Sequence, residues 1–226
     1  MKKLLPLGLI IAAVLSLGLI GCKQNGDEDK LPGTWTSSAE LYSSWTPPFD
    51  VGTLTANDHT VTYELKQPSA LSEEDKPGEG KYNSTSYNLT KEQYYTGFRA
   101  NVTSNADGGC GFIFCRTVDE NSKWSYYYLY INKNGHFYID QSTKGVWSTV
   151  KNWDSSSALL GQKNEVLVYT DKSKNIVVSI NNTVVFTIKE PELTHGGVGI
   201  ICTVGDKDVT NDTHIKAVYE FKEFQY

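Results

Sequence analysis

From Cys110 to Gln141 the chain reads CGFIFCRTVDENSKWSYYYLYINKNGHFYIDQ, from Asn164 to Glu190 NEVLVYTDKSKNIVVSINNTVVFTIKE, and from Gly196 to Thr203 GGVGIICT. Runs rich in Val, Ile, Tyr, Phe and Thr are broken roughly every eight to twelve residues by turn chemistry, the pattern of an antiparallel sandwich. The breaks are explicit: Asn132-Lys133-Asn134-Gly135, Asp171-Lys172-Ser173-Lys174-Asn175 and Asn181-Asn182. Asn and Gly tolerate the positive φ that tight hairpins require.

Alternation assigns faces within the first stretch. Cys110, Phe112, Phe114 and Arg116 fall on one side of its first strand, and Gly111, Ile113 and Cys115 on the other. The next strand sets Trp124, Tyr126, Tyr128 and Tyr130 against Ser125, Tyr127, Leu129 and Ile131. Its hairpin partner sets His136, Tyr138 and Asp140 against Phe137 and Ile139. Leu129, Ile131 and Ile139 are aliphatic and mark the core face. The opposite face carries an aromatic row with His136, Asp140 and, as a further candidate, Arg116. A slip of one residue would invert every side chain, so a buried face pins the register.

Further strands are expected at Asn164–Thr170, Asn175–Ile180, Thr183–Ile188, Gly197–Thr203 and Ile215–Phe224. Gly145 to Gly161, with Trp147 and Trp153, reads as a loop. Upstream, Tyr94–Thr103 and the cleanly alternating Thr60–Lys66 read as strands. Thr34–Tyr42 reads as an N-terminal strand, followed by an arm carrying Trp45, Pro47, Pro48 and Phe49. Adjacent prolines exclude a central strand there. Ser69–Lys81 is rich in Glu, Pro and Gly and reads as an exposed loop. No helix, internal repeat or second domain is expected.

The start of the chain is different. Met1-Lys2-Lys3 is basic and Leu4 to Ile20 is almost wholly apolar, the anatomy of a secretion signal. Leu19-Ile20-Gly21-Cys22 closes it and resembles the lipobox of bacterial lipoproteins, in which a small residue admits the peptidase and the following thiol takes the diacylglycerol. The alternative is an uncleaved anchor helix, close to the lower length limit of about 17 residues for a span. This gives three parts: 1–21 a lipoprotein signal peptide, 22–30 a polar tether, and 31–226 one sandwich domain. The expected location is the bacterial cell envelope, lipid-anchored through Cys22, in the periplasm or at the surface.

Composition agrees. The chain has 226 residues, formal net charge −5, 14 Tyr, 5 Trp and 1 Met. Single sandwiches of about 200–250 residues are routine. An acidic balance argues against nucleic acid, whose binders are usually basic.

The order of Gly111-Phe112-Ile113-Phe114, Tyr127-Tyr128-Leu129-Tyr130-Ile131, Asn134-Gly135, Trp147, Trp153, Ser156, Ala158, Gly161, Asn164, Ile180-Asn181-Asn182 and Gly197-Val198-Gly199-Ile200 resembles the concanavalin A-like lectin/glucanase superfamily. Its laminin-G-like jelly rolls, including domains labelled 3-keto-disaccharide hydrolase, are the most similar branch. The resemblance covers about Tyr94 to Phe224. It implies two curved antiparallel sheets, with a concave face that often binds glycans.

The aromatic row fits that expectation. Sugar rings stack their C–H faces on aromatic rings, and Tyr adds a hydrogen bond from its rim. Trp124, Tyr126, Tyr128, Tyr130, Tyr138 and Trp147 would form the platform, with Arg116, His136 and Asp140 binding hydroxyls. The alternative is that these aromatics are cross-strand pairs that stabilise the sheet or pack under the N-terminal arm. For catalysis, retaining glucanases of the superfamily carry Glu-x-Asp-x-(x)-Glu on one strand, holding two carboxylates about 5–5.5 Å apart. No such strand motif occurs here. Glu73-Glu74-Asp75 and Asp119-Glu120 fall in loops, and Glu220 and Glu223, three apart, fall on opposite faces by alternation. His59, His136, His195 and His214 form no metal-ligand pair. No catalytic residue and no cofactor is assigned.

Asp206, Asp208, Asn211 and Asp212 crowd one loop whose oxygens would suit a structural calcium, but the spacing is not that of an EF-hand and a polar turn is the better explanation. Beyond Cys22, the cysteines are Cys110, Cys115 and Cys202. Cys115 and Cys202 would pair if their strands are neighbours, and otherwise all three read as buried free thiols. The first expectation for function is a lipid-anchored module that binds a glycan or cell-surface ligand. A glycoside-processing hydrolase of the same fold and a structural envelope protein are the alternatives, the last requiring that the aromatic row be covered.

Overall fold

The computed structural model describes residues 35–36, 42–43, 52–57, 59–67, 82–89, 95–161, 163–209 and 213–225. The signal segment, Cys22, the tether, the Pro47-Pro48 arm, the loop 69–81, Tyr94, Asn211 and Asp212 lie outside the described residues. In chain order the strands are β1 (Trp35–Thr36), β2 (Tyr42–Ser43), β3 (Thr53–Asn57), β4 (Thr60–Gln67) and β5 (Tyr82–Leu89). Next come β6 (Gly97–Ser104), β7 (Cys110–Val118), β8 (Trp124–Ile131), β9 (His136–Thr143) and β10 (Val146–Ser155). The last are β11 (Lys163–Thr170), β12 (Ile176–Ile180), β13 (Thr183–Ile188), β14 (Gly197–Gly205) and β15 (Thr213–Gln225). Among the described residues the single helical element is a 3-10 turn, Asp206–Asp208.

Two antiparallel sheets result. The first runs β1-β5-β14-β7-β8-β9-β10, with β2 also on β5, and the second runs β13-β12-β11-β6-β15-β4-β3. The hairpins β7–β8, β8–β9 and β11–β12 follow from the turn residues that separate them. Asp171 accepts from the amides of Ser173 and Asn175, each at 2.8 Å, and so closes the β11–β12 turn. Asn181 and Asn182 adopt positive φ, as the sequence requires of them.

The core lies between the sheets. Phe112, Phe114, Tyr127, Leu129, Ile131, Phe137, Ile139 and Ile200 face it from the first sheet, and Val61, Phe98, Val166, Val178, Tyr219 and Phe221 from the second. Phe112 meets Phe98 at 4.9 Å and Tyr219 edge-on at 5.6 Å. Each such ring, fully buried, contributes about 1.5–3 kcal/mol relative to exposure. Tyr219 also donates its hydroxyl to the carbonyl of Ile201 at 2.6 Å, a polar tie between the two layers. A second knot holds the 156–161 loop. Asn181 donates to the Ala158 carbonyl at 2.6 Å and to Asn164 Oδ1 at 2.9 Å, and Asn164 donates to the Gly161 carbonyl.

Several expectations are corrected. Val146–Ser155 is an edge strand rather than a loop. Tyr82–Leu89 and Thr53–Asn57 are two further strands. Within the expected N-terminal strand the described residues Trp35–Thr36 are strand, and so are Tyr42–Ser43 at its end. A bulge at Cys115, whose φ is 53°, breaks the β7–β8 register between Phe114 and Thr117. It returns Cys115 to the core and turns Arg116 to the aromatic face, where simple alternation had not put it. A register break between Phe221 and Glu223 has a similar effect on β15. Glu220 pairs with Asn101 and Glu223 with Arg99, so the two glutamates share one face instead of opposing ones. Cys110, not Cys115, forms a disulfide with Cys202, because β7 and β14 are neighbours and these two residues stand opposite each other. Cys115 is free and buried, and burial pushes its thiol up to about 12.

Candidate functional site

The outer face of the first sheet is where the sequence-derived residues meet. Tyr126, Tyr128 and Tyr130 on β8 stand opposite Ser142, Asp140 and Tyr138 on β9. Trp147 and Thr149 on β10 stand opposite Ser142 and Asp140 in turn. Ile113, Tyr126, Tyr128 and Ile201 form a small second apolar cluster here, with Trp124 and Tyr130 packed against it. Its rings are in contact: Tyr126 on Tyr128 at 4.8 Å, Tyr128 on Tyr130 at 5.7 Å, and Tyr130 on Tyr138 at 6.0 Å.

Exposure divides the row. Tyr126 and Tyr128 are 2% and 0% exposed, so they pack rather than present an open ring. Tyr130, Tyr138, His136 and Asp140 are half-buried. Trp147 and Trp153, both on β10, are 39% and 44% exposed. Trp147 lies flat on Tyr128, at 5.3 Å and 6° between planes, and meets Tyr126 edge-on at 5.9 Å. Trp153 lies on Tyr138 at 5.3 Å. Gly109, whose φ of +101° favours glycine, lies beside the far edge of the Trp153 ring. Beside Tyr130 the register puts Gly111, where a Cβ would stand 1.8 Å from the Leu129 carbonyl oxygen. The face is therefore bare backbone at the start of β7, with aromatic rings on β8, β9 and β10.

The polar groups fall along the same rows. Tyr138 donates its hydroxyl to Asp140 Oδ1 at 2.8 Å, and Thr149 Oγ1 lies 2.8 Å from the same Tyr138 oxygen. Burial raises the Asp140 carboxyl above its ordinary value, against the lowering effect of the Tyr138 and Thr149 hydroxyls. Arg116 stacks its guanidinium over Trp124, 3.4 Å from the ring centre, at the far end of β8. Asp154, paired with Lys151 at 2.7 Å and held low by that hydrogen bond, stands opposite Phe137 and so belongs to the other side of the sheet. Asp140 is thus the carboxylate that the described part of this face presents. Among the described residues no second one is directed beside it, and a retaining or inverting hydrolase uses two.

Trp153, Thr149 and Ser142 join this face although none was singled out for it. The signal for Trp153 was its spacing of six from Trp147 within one segment, hidden because that segment reads as a loop. On the calcium expectation, Asp208 is buried and accepts from the amides of Asp107, Gly108 and Gly205. Its oxygens are spent on backbone, and burial raises its carboxyl in spite of those three bonds. Among the described residues no three His, Cys, Asp or Glu side chains gather as a metal set.

No family model matches the chain, and no curated protein matches it. Solved structures do. The β-glucanase of Bacillus licheniformis superposes with a TM-score of 0.56 and 11% identity, over 87% of this chain and 94% of its own. A β-1,3-1,4-glucanase (lichenase) from a mouse hindgut metagenome gives 0.53 and 10%, over 89% and 95%. A carbohydrate-binding module of Bacillus subtilis gives 0.50 and 11%, over 85% and 94%. At such identities the likeness is one of fold, and one fold hosts many activities. The chain is an all-β, two-sheet jelly-roll sandwich, similar to hydrolases and to a binding module alike.

Proposed function

We propose that this protein is an extracytoplasmic glycan-binding module that holds its ligand on the outer face of the first sheet. The observation that carries the reading is the pair of half-exposed tryptophans on β10, each resting on a tyrosine of the sheet beneath. Large exposed aromatic rings are costly to leave in water and are suited to the C–H faces of sugars. Trp153, Tyr138 and Tyr130 offer the stacking surface. Asp140 and His136 stand on the same strand as hydroxyl partners, and Arg116 on Trp124 marks the far end of the row. Tyr126 and Tyr128 support the surface from below. Among the described residues of this face no second carboxylate is directed beside Asp140, which favours the binding reading. The glycoside-processing alternative requires one, and the structural-envelope alternative requires the aromatic row to be covered, which holds for Tyr126 and Tyr128 but not for Trp147.

The same proposal includes a lipid anchor at Cys22, read from the Leu19-Ile20-Gly21-Cys22 pattern and the apolar segment before it. Each buried methylene of an acyl chain contributes about 0.8 kcal/mol to membrane binding. Binding of the full chain to a glycan array, beside the Trp153→Ala and Tyr138→Ala variants, tests the ligand. Binding by the parent that both variants lose supports the proposal, and equal binding by all three refutes its placement.

A further inference from the structure

Resting on the glycan-binding reading, we infer that Trp147 is a displaceable cap over a sugar subsite formed by Tyr128, Tyr126 and Ser142. The registers fix the arrangement. Trp147 stands opposite Ser142, and Ser142 stands opposite Tyr126. The indole must therefore cross Ser142 to lie flat on Tyr128 with its edge to Tyr126. A pyranose stacked on Tyr128 would take the same pose, so indole and sugar compete for one place.

Two further features fit a cap better than a fixed wall. Trp147 keeps 39% of its surface in solvent. It sits near the start of an edge strand whose pairing to β9 breaks twice, at Thr149/Lys151 and Lys151/Asp154. Trp147 is not a member of the main core cluster. Beneath it, Ser142 is 1% exposed and its Oγ has no hydrogen-bond partner. A hydroxyl buried without a partner costs free energy. An indole face cannot relieve that cost, whereas a sugar hydroxyl can. Asp140 lies two residues along β9 on the same face. The subsite therefore selects a neutral pyranose with an unbroken C–H face toward Tyr128 and one hydroxyl toward Ser142. Bound sugar replaces Trp147, and affinity is reduced by the fraction of molecules that are capped.

The test uses the full chain and the variants Trp147→Ala, Trp147→Phe, Ser142→Ala and Trp153→Ala. Each is melted, applied to a glycan array, and titrated with the printed glycans that the parent or Trp147→Ala retains. The cap predicts that Trp147→Ala binds roughly 2- to 12-fold tighter than the parent, the range of one aromatic stacking pair converted to affinity. Trp147→Phe falls between the two and serves where Trp147→Ala does not fold. Ser142→Ala melts at a higher temperature than the parent yet binds more weakly. Weaker binding by the Trp147 variants, with the parent binding well, overturns the cap and makes the indole itself a platform, leaving the glycan reading intact. A lower melting temperature for Ser142→Ala also overturns it. If the parent and both folded Trp147 variants retain no glycan, the cap and the glycan reading fail together.

Discussion

Asp140 carries the tension of the face in one residue. It lies half-buried among rings, and burial outweighs the two hydroxyls that favour its charge. Because its folded pKa is raised above the ordinary 3.8, the folded state binds this proton more tightly than the unfolded chain. Its contribution to stability is then full below about pH 4 and is lost as pH rises through the raised value. Asp140→Asn keeps an acceptor for Tyr138 and removes the titration. The variant is predicted to be more stable than the parent at neutral pH, with the gap closing below about pH 4, as followed by urea denaturation across pH. An equal gap at all pH values would mean that Asp140 has no raised pKa. Stability gained by neutralising a group at the cost of ligand contacts is the usual mark of a functional position.

At the scale of elements, strong alternation made β4, β8, β9, β11 and β15 legible. Val61, Tyr63 and Leu65, or Leu129 and Ile131, leave one choice of inner face. Other strands were hidden for physical reasons. Tyr82–Leu89 (YNSTSYNL) holds a single aliphatic residue. Val146–Ser155 (VWSTVKNWDS) is an exposed edge with two register breaks, so it shows no period of two. The bulges at Cys115 and near Lys222 are backbone events that alternation cannot see, and they decide where Arg116, Glu220 and Glu223 point. The cysteine pairing depended on which strands neighbour β7, a question of topology rather than of spacing. The Cys110–Cys202 bridge spans 92 residues. On the chain-entropy account such a loop is worth about 4–5 kcal/mol. Reduction, or the Cys110→Ser/Cys202→Ser variant, is predicted to lower unfolding free energy by that order, measured in urea. In the native protein Cys115, its thiol held protonated by burial, should resist iodoacetamide until the chain unfolds. Rapid native labelling of Cys115 would contradict its place in the core.

For the molecule as a whole, one sandwich supports a face that is aromatic on one sheet and a face that is charged on the other. On the second sheet Glu165 bonds Lys222 at 2.6 Å and Arg99 at 3.2 Å, while Glu220 accepts from Asn101. These partly exposed pairs balance one another and offer little net attraction to a ligand. The aromatic face is the asymmetric feature of the fold. It is also the part of the site most legible in sequence, since Tyr126, Tyr128, Tyr130, Tyr138 and Asp140 were placed together by alternation alone. Depth was not legible: burial of Tyr126 and Tyr128 and the resting of Trp147 on Tyr128 and Trp153 on Tyr138 are tertiary facts. An anchor at Cys22 would hold this face at a membrane. Replacing Cys22 by Ser is predicted to abolish incorporation of radiolabelled palmitate and to move the protein from the membrane to the soluble fraction. Undiminished labelling would refute the anchor.

The central claim is that a glycan lies on Trp153, Tyr138 and their neighbours. The most direct measurement is a side-chain NMR titration of the full chain with a glycan retained on the array, following the indole Nε1–H signals and the backbone amides. Shifts concentrated at Trp147, Trp153 and the amides of β8 to β10, lost in Trp153→Ala, are the predicted result. Shifts confined to β11, β12 and β13 of the other sheet would contradict the account.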